Sequence, residues 1–265
     1  MHHVLKQLAV GTVAALACAC AARAGEAIVT DRPDFVESSD VVGRGHVQIE
    51  TGLSFERSQS AGVKSRTTTT PTLLRLGVNE AIELRVETDG FVRSSVEDAS
   101  GTQRERGFSD VALGVKWHVQ EGDEASGKPG LAWLLHLDVD SGSPAFRGQG
   151  LRPSLRGVAE WDLPQNFSVG VMPGVLIDKN ADGKRFASGI LAVTLGNDFA
   201  PGWHGFVELA GQQLASKRNG GSVVTFDFGA SHLLSDSVQV DIAASRGLTS
   251  DSPDFQWGVG LSLRF

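Results

Sequence analysis

The stretch FQWGVGLSLRF, residues 255–265, decides the fold. Phe255, Trp257, Val259, Leu261, Leu263 and Phe265 share one face; Gln256, Gly258, Gly260, Ser262 and Arg264 share the other. A period of two marks a β-strand with an apolar face and a small or polar one. A closed membrane barrel ends on such a strand, because its last strand must pair with its first and leave no open edge. The competing reading is an inner strand of a soluble β-sandwich, and the rest of the chain must decide.

Length, at 265 residues, allows one large β domain or two ordinary ones. The chain is 41% hydrophobic with mean hydropathy −0.06. A transmembrane barrel has this soluble-looking composition, because only alternate residues face lipid. No apolar run after the N-terminal region reaches the ~18 residues of a membrane helix. The net charge of −7 argues against a nucleic-acid partner.

The N-terminus reads as an export signal. Lys6 supplies a positive charge, Leu8 to Ala22 form an apolar and small-residue run, and Ala22-Arg23-Ala24 is an A-x-A cleavage site. The only cysteines, Cys18 and Cys20, lie inside that run, so the processed chain has neither disulfide nor thiolate. Loss of Lys6 and Arg23 from the 24 basic residues leaves 22 against 31 acidic, a net charge of −9. The expected organisation is a cleaved signal over 1–24, an extended segment over 25–43 in the periplasm or the barrel mouth, and a barrel over 44–265.

From residue 45 the alternation recurs without pause. Strands are expected near 45–57, 66–77, 81–92, 107–119, 130–140, 152–163, 166–177, 186–198, 203–214, 222–233, 237–247 and 255–265. Twelve is the even number that a bacterial single-chain barrel uses. Short turns (79–80, 163–165, 200–202, 234–236) alternate with longer polar loops (58–65, 93–106, 141–151, 178–185, 215–221, 248–254), as expected of periplasmic turns and outer loops. Gln120 to Lys128 is long for a turn on the short side. Trp117, Trp133, Trp161 and Trp203 fall at one end of their strands, and Trp257 falls at the other with Phe55, Phe91, Phe108 and Phe186. Two aromatic belts fit two membrane interfaces, although the chain has no Tyr. The fold class is therefore all-β: a transmembrane antiparallel up-and-down barrel of about twelve strands, closed by the strand ending at Phe265.

The inward positions carry charge of both signs. Glu50, Arg75, Glu83, Arg85, Glu87, Asp110, Lys116, Asp138, Arg156, Glu160, Glu208 and Asp227 are the expected pore-lining residues. On a lipid face a basic residue near the midplane would cost about 2–4 kcal/mol, so these face a polar lumen. One reading is a charged, water-filled path for solutes; the other is a salt-bridge ladder that fills and braces the barrel. Twelve strands lie between the ~8 that side chains fill and the ~16 that leave a channel. Asp178-Lys179-Asn180-Ala181-Asp182-Gly183 matches the start of a calcium loop, but Gly189 stands where the bidentate Glu should be, so an ordinary polar turn is expected. His46, His118, His136, His204 and His232 are scattered over the strands and no G-x-S-x-G occurs. No catalytic residue, metal or cofactor is expected.

TDRPDFVESSDVV (30–42), RGHVQIETGLSFE (44–56), PTLLRLGVNEAIELRV (71–86) and GFSDVALGVKW (107–117) resemble a bacterial outer-membrane β-barrel family of transporters named for the meta-pathway of phenol degradation. The resemblance implies a barrel and passive uptake of small molecules, with aromatic or other apolar compounds as candidate solutes. It places the protein in the outer membrane, with lipid and solute as partners. The strand ending in Phe265 resembles the signal read by bacterial barrel-assembly machinery. The alternatives are a sealed structural barrel and a barrel hydrolase.

Overall fold

The computed structural model describes residues 27–180 and 182–265; the expected export signal and both cysteines lie outside them. Fifteen strands form one antiparallel sheet: β1 (Val47–Ser60), β2 (Val63–Thr69), β3 (Thr72–Gly77), β4 (Ile82–Thr88), β5 (Phe91–Asp98), β6 (Gly101–Phe108), β7 (Val111–Gln120), β8 (Gly130–Val139), β9 (Arg152–Leu163), β10 (Phe167–Lys179), β11 (Arg185–Ala200), β12 (Trp203–Leu214), β13 (Val223–Ser235), β14 (Val238–Gly247) and β15 (Phe255–Arg264). The sheet closes where β15 pairs with β1, from Gln48 opposite Arg264 to Arg57 opposite Phe255.

The fifteen strands make twelve staves, because three staves are broken at one level. β2 and β3 part at Thr70-Pro71, β4 and β5 at Asp89-Gly90, and β6 and β7 at Ser109-Asp110. Pro71 has no N–H to give the ladder. Gly90 sits at φ 67°, where a Cβ would come within 2.4 Å of the Thr70 carbonyl oxygen. The breaks are bonded across: Thr70 N–H donates to the Asp89 carbonyl (3.0 Å) and Ser109 N–H to the Gly90 carbonyl (2.9 Å).

Beyond the breaks, the sequence expectation needs correcting. The stretches 58–65 and 93–106 are not loops but ends of long hairpins, turning at residues 61–62 and 99–100. Their strands were hidden because both faces meet water there; β6 is exposed at nearly every residue, so no period of two remains. The outer edge of β6 is met by the 140–151 connection, through Ser143 N–H to the Phe108 carbonyl (2.8 Å) and Phe108 N–H to Ser143 Oγ (2.9 Å). The long 120–128 connection folds on itself: Asp123 bridges Lys128 and caps Ala125 N–H.

Side chains on the outside are apolar and exposed, among them Leu113, Leu135, Leu191, Leu209 and Ile242. A band this large is beyond what a water-facing monomer exposes and fits lipid. Trp117 lies opposite Trp133 toward one end of the barrel, and Trp257 stacks on Phe55 (4.6 Å) toward the other. Asn180 Oδ1 accepts the N–H groups of Asp182 and Lys184, making the calcium-like stretch a side-chain-capped turn.

Candidate functional site

The lumen is occupied by the chain's own residues 27–46. Ile28 N–H donates to the carbonyl of Asp236, in the turn between β13 and β14 (2.8 Å). The segment then enters the barrel and leaves past Gly45, whose N–H meets the Gly77 carbonyl (3.0 Å). It therefore enters and leaves at the end of the barrel that holds Phe265, whose N–H meets the Val47 carbonyl.

The wall holds the segment in two complementary ways. Wall carboxylates accept its backbone N–H groups: Glu50 from Asp31 and Arg32 (3.0 and 3.1 Å), Glu208 from Phe35 and Val36 (2.9 and 2.8 Å), Glu83 from Val42 (2.9 Å), and Glu160 from Ser39. An extended segment inside a barrel has no strand partner, so these acceptors satisfy donors that burial would otherwise leave bare. Wall cations bind its carboxylates. Asp31 meets Arg85 (2.6 Å) and Lys116 (2.8 Å), and lies 3.5 Å from Arg75. Glu37 takes Arg85 and Arg156, each at 2.6 Å. The wall residues also brace one another, with Arg75 on Glu83 (2.9 Å) and Glu50 (3.1 Å). In the reverse sense, the segment's Arg32 forms a paired bond with Asp241 of β14 (2.9 and 3.2 Å).

An apolar contact completes the anchorage. Val36 packs on an inward patch of Ala132, Leu134, Val158, Met172, Ala192 and Ala210, with Phe35 alongside. Sequence reasoning missed this patch. The signal was present: Leu134 interrupts the alternation of LAWLLHL, and Met172 points inward between Val171 and Pro173.

The expected pore-lining residues thus divide. Glu50, Arg75, Glu83, Arg85 and Lys116 are buried beneath the segment, and Arg156, Glu160 and Glu208 touch it. Glu87 and Asp138 keep roughly 40% of their side chains exposed; Glu87 lies 3.9 Å from His136. Asp227 lies directly opposite Glu208 in the sheet. Asp110 serves another task at the stave break, accepting Gly142 N–H (2.8 Å), Gly148 N–H (2.7 Å) and Arg152 (2.7 Å), which pins the 140–151 connection.

Two cavities flank the segment. One, about 300 Å³, is lined by Gln212, Ser245 and Gln256 toward the hairpin end. The other, about 980 Å³, reaches Asp162, Asp198 and Gly202 toward the end that holds the termini. Arg32, Pro33 and Asp34 line both, so they are the partition between them.

Burial pushes the Asp31 carboxyl up, but Arg75, Lys116 and Arg85 outweigh it and hold the group well below the usual carboxylate range. Glu37 behaves alike, with Arg85 and Arg156 overcoming burial to bring it down to about 2. Asp34 goes the other way: burial, then the charges of Glu208, Glu160 and Asp31, push it well above its ordinary value. The signs follow by linkage. Asp31 and Glu37 favour docking fully above their free values, and that contribution is lost as pH falls through their docked values. Asp34 favours docking at low pH and loses that contribution as pH rises through its raised docked value. The segment around Asp34 should therefore loosen as pH rises from the free value of Asp34 through its raised docked value, seen as a growing open fraction in planar bilayers. Asp34→Asn should flatten that rise, and an unchanged profile would refute the assignment.

The structure defines a transmembrane β-barrel with a charged lumen occupied by its own N-terminal segment. By its family model the chain belongs to the family described as "Putative MetA-pathway of phenol degradation", matched over residues 30–265. No curated protein matches the chain. Among solved structures, it is similar to the COG4313 outer membrane channel from Pseudomonas putida F1, at 13% identity over 88% of this chain and 99% of that one, with TM-score 0.60. It is also similar to the β domain of the Bordetella autotransporter BrkA, at 13% identity over 82% and 98% of the two chains, with TM-score 0.55. At such identity these two share the fold with this chain; their different titles show that the barrel alone does not choose a function.

Proposed function

We propose that the protein is an outer-membrane channel for passive passage of small molecules, gated by its own N-terminal segment. The observation that carries this reading is the pair of cavities that meet at Arg32, Pro33 and Asp34, which line both. A purely structural barrel has no need of a large cavity on one side of a thin, polar partition. The family's description makes aromatic or other apolar compounds candidate solutes.

In this reading residues 1–24 are removed on export, 25–43 are the gate and 44–265 the barrel. The end holding the termini faces the periplasm, and the strand ending at Phe265 engages the assembly machinery. When the segment withdraws, Glu50, Arg75, Glu83, Arg85, Lys116, Glu160, Glu208 and Asp227 line the path. Glu87, Asp138 and Arg156 line its outer approach, and Asp110 steadies the rim. Passage follows the concentration gradient and involves no catalytic step.

Refolded mature protein in a planar bilayer should give discrete conductance steps that a permeant aromatic solute reduces. Silence from both the full barrel and one lacking the segment would instead assign a sealed structural barrel.

A further inference from the structure

The wall beneath the segment carries two cations that the segment alone pairs. Arg75 and Arg85 have wall carboxylates of their own, Glu50 and Glu83. Among the described residues, Lys116 and Arg156 form no ion pair with the wall. Lys116 Nζ donates to Asp31 (2.8 Å) and to the carbonyl oxygens of Ser38 and Asp40 (2.7 and 3.3 Å), and Arg156 donates to Glu37 (2.6 Å). Leu134 lies between these two cations, directly opposite Lys116 on β7 and Arg156 on β9. It belongs to the apolar patch under Val36. The wall thus offers a strip of cation, apolar side chain and cation.

The segment meets that strip with a ring and a carboxylate. The Phe35 ring centroid lies 5.7 Å from Arg156 Cζ, and the Glu37 carboxylate, two residues on, takes the same guanidinium at 2.6 Å. A cation against a ring and a charge-assisted hydrogen bond to a carboxylate are contacts that an aryl acid offers together. Arg85 ties in the second carboxylate, with Glu37 on Nη2 and Asp31 on Nη1, each at 2.6 Å. Withdrawal of the segment strips Lys116 and Arg156 of these partners, and a solute carboxylate can replace them. We propose that the strip of Lys116, Leu134 and Arg156 is a binding site for an aromatic carboxylate, which Phe35 and Glu37 fill as an internal stand-in. The solute's carboxylate takes the place of Glu37 on Arg156, and its ring rests on Leu134. Both positions are covered while the segment is docked, so solute and segment compete, and the acid raises the share of the withdrawn state. As a solute site it rests on the channel reading; the displacement itself does not.

Hydrogen exchange on the detergent-solubilised mature chain tests it, with 3-phenylpropionate, 3-phenylpropan-1-ol and sodium chloride compared at constant ionic strength. The acid should speed exchange of the Phe35 and Val36 N–H groups severalfold, in proportion to its concentration, while the alcohol and chloride should not. Arg156→Gln should remove the acid's advantage, with the heat-modifiable gel mobility of the folded barrel retained. Glu37→Gln leaves the wall site whole, so it should exchange faster throughout and keep the same fold acceleration by the acid. Equal acceleration by the alcohol or chloride, none by the acid, or an Arg156→Gln variant that keeps the advantage overturns the proposal. Acceleration by the acid in a protein without conductance overturns the channel reading and leaves the site standing; conductance steps with exchange untouched by the acid do the reverse.

Discussion

Deletion of residues 27–42 should raise single-channel conductance several-fold. The segment is the partition between the cavities of about 300 and 980 Å³, and its removal joins them into one path. The barrel should survive the loss. Its hydrogen-bond ladder is complete without the segment, since β1 pairs with β15 and each stave with its neighbours. Arg75, Glu83, Glu50, Arg85 and Lys116 would become wetted rather than buried without partners, because the vacated lumen admits water. That distinction matters: a charge stranded in a dry interior costs several kcal/mol, while one bathed in water costs little. Heat-modifiable gel mobility checks that the barrel has folded. An intact barrel with unchanged conductance would place the barrier elsewhere, with the broken staves around Thr70, Asp89 and Ser109 next to examine.

How far the sequence could be read followed from where each residue meets a second medium. In β7, β8 and β15 one face meets lipid and the other the lumen, so the alternation of Val111 to Trp117 or Phe255 to Leu263 is strong. In β6 and the outer ends of β2 and β5 both faces meet water, and a sequence such as GTQRERGF carries no period to detect. Inward charge was legible because a lone Arg or Glu cannot face lipid. Its partners were not, because they come from the far end of the chain: Asp31 meets Lys116, and Arg32 meets Asp241. Nothing local in TDRPDFVESSDVV indicates that its backbone N–H groups are received by Glu50, Glu83 and Glu208. Asp110 was expected in the lumen because strand alternation was extended across a stave break that the sequence marks only weakly.

Asp31→Ala should release the segment, and the effect should be the largest of any single substitution in the lumen. Asp31 is the one carboxylate on which Arg85, Lys116 and Arg75 converge, at 2.6, 2.8 and 3.5 Å. It also accepts Ser38 N–H (2.9 Å), so it closes the segment's own turn. Without it the buried Lys116 loses its carboxylate, while Arg75 keeps Glu83 and Glu50 and Arg85 keeps Glu37 and Glu83. Breaking a buried pair by removing one partner typically costs about 3–5 kcal/mol, here charged to docking rather than to the barrel. Hydrogen exchange reads it directly: the N–H groups of Arg32, Phe35, Val36 and Val42, all held by wall carboxylates, should exchange about two to three decades faster. Those of β10 and β11 should not change. Asp31→Asn, which keeps an oxygen for Lys116 but loses the charge, should fall between. If Asp31→Ala leaves the segment protected, the ion cluster is dispensable and the packing of Val36 on Leu134 and Met172 holds the segment unaided.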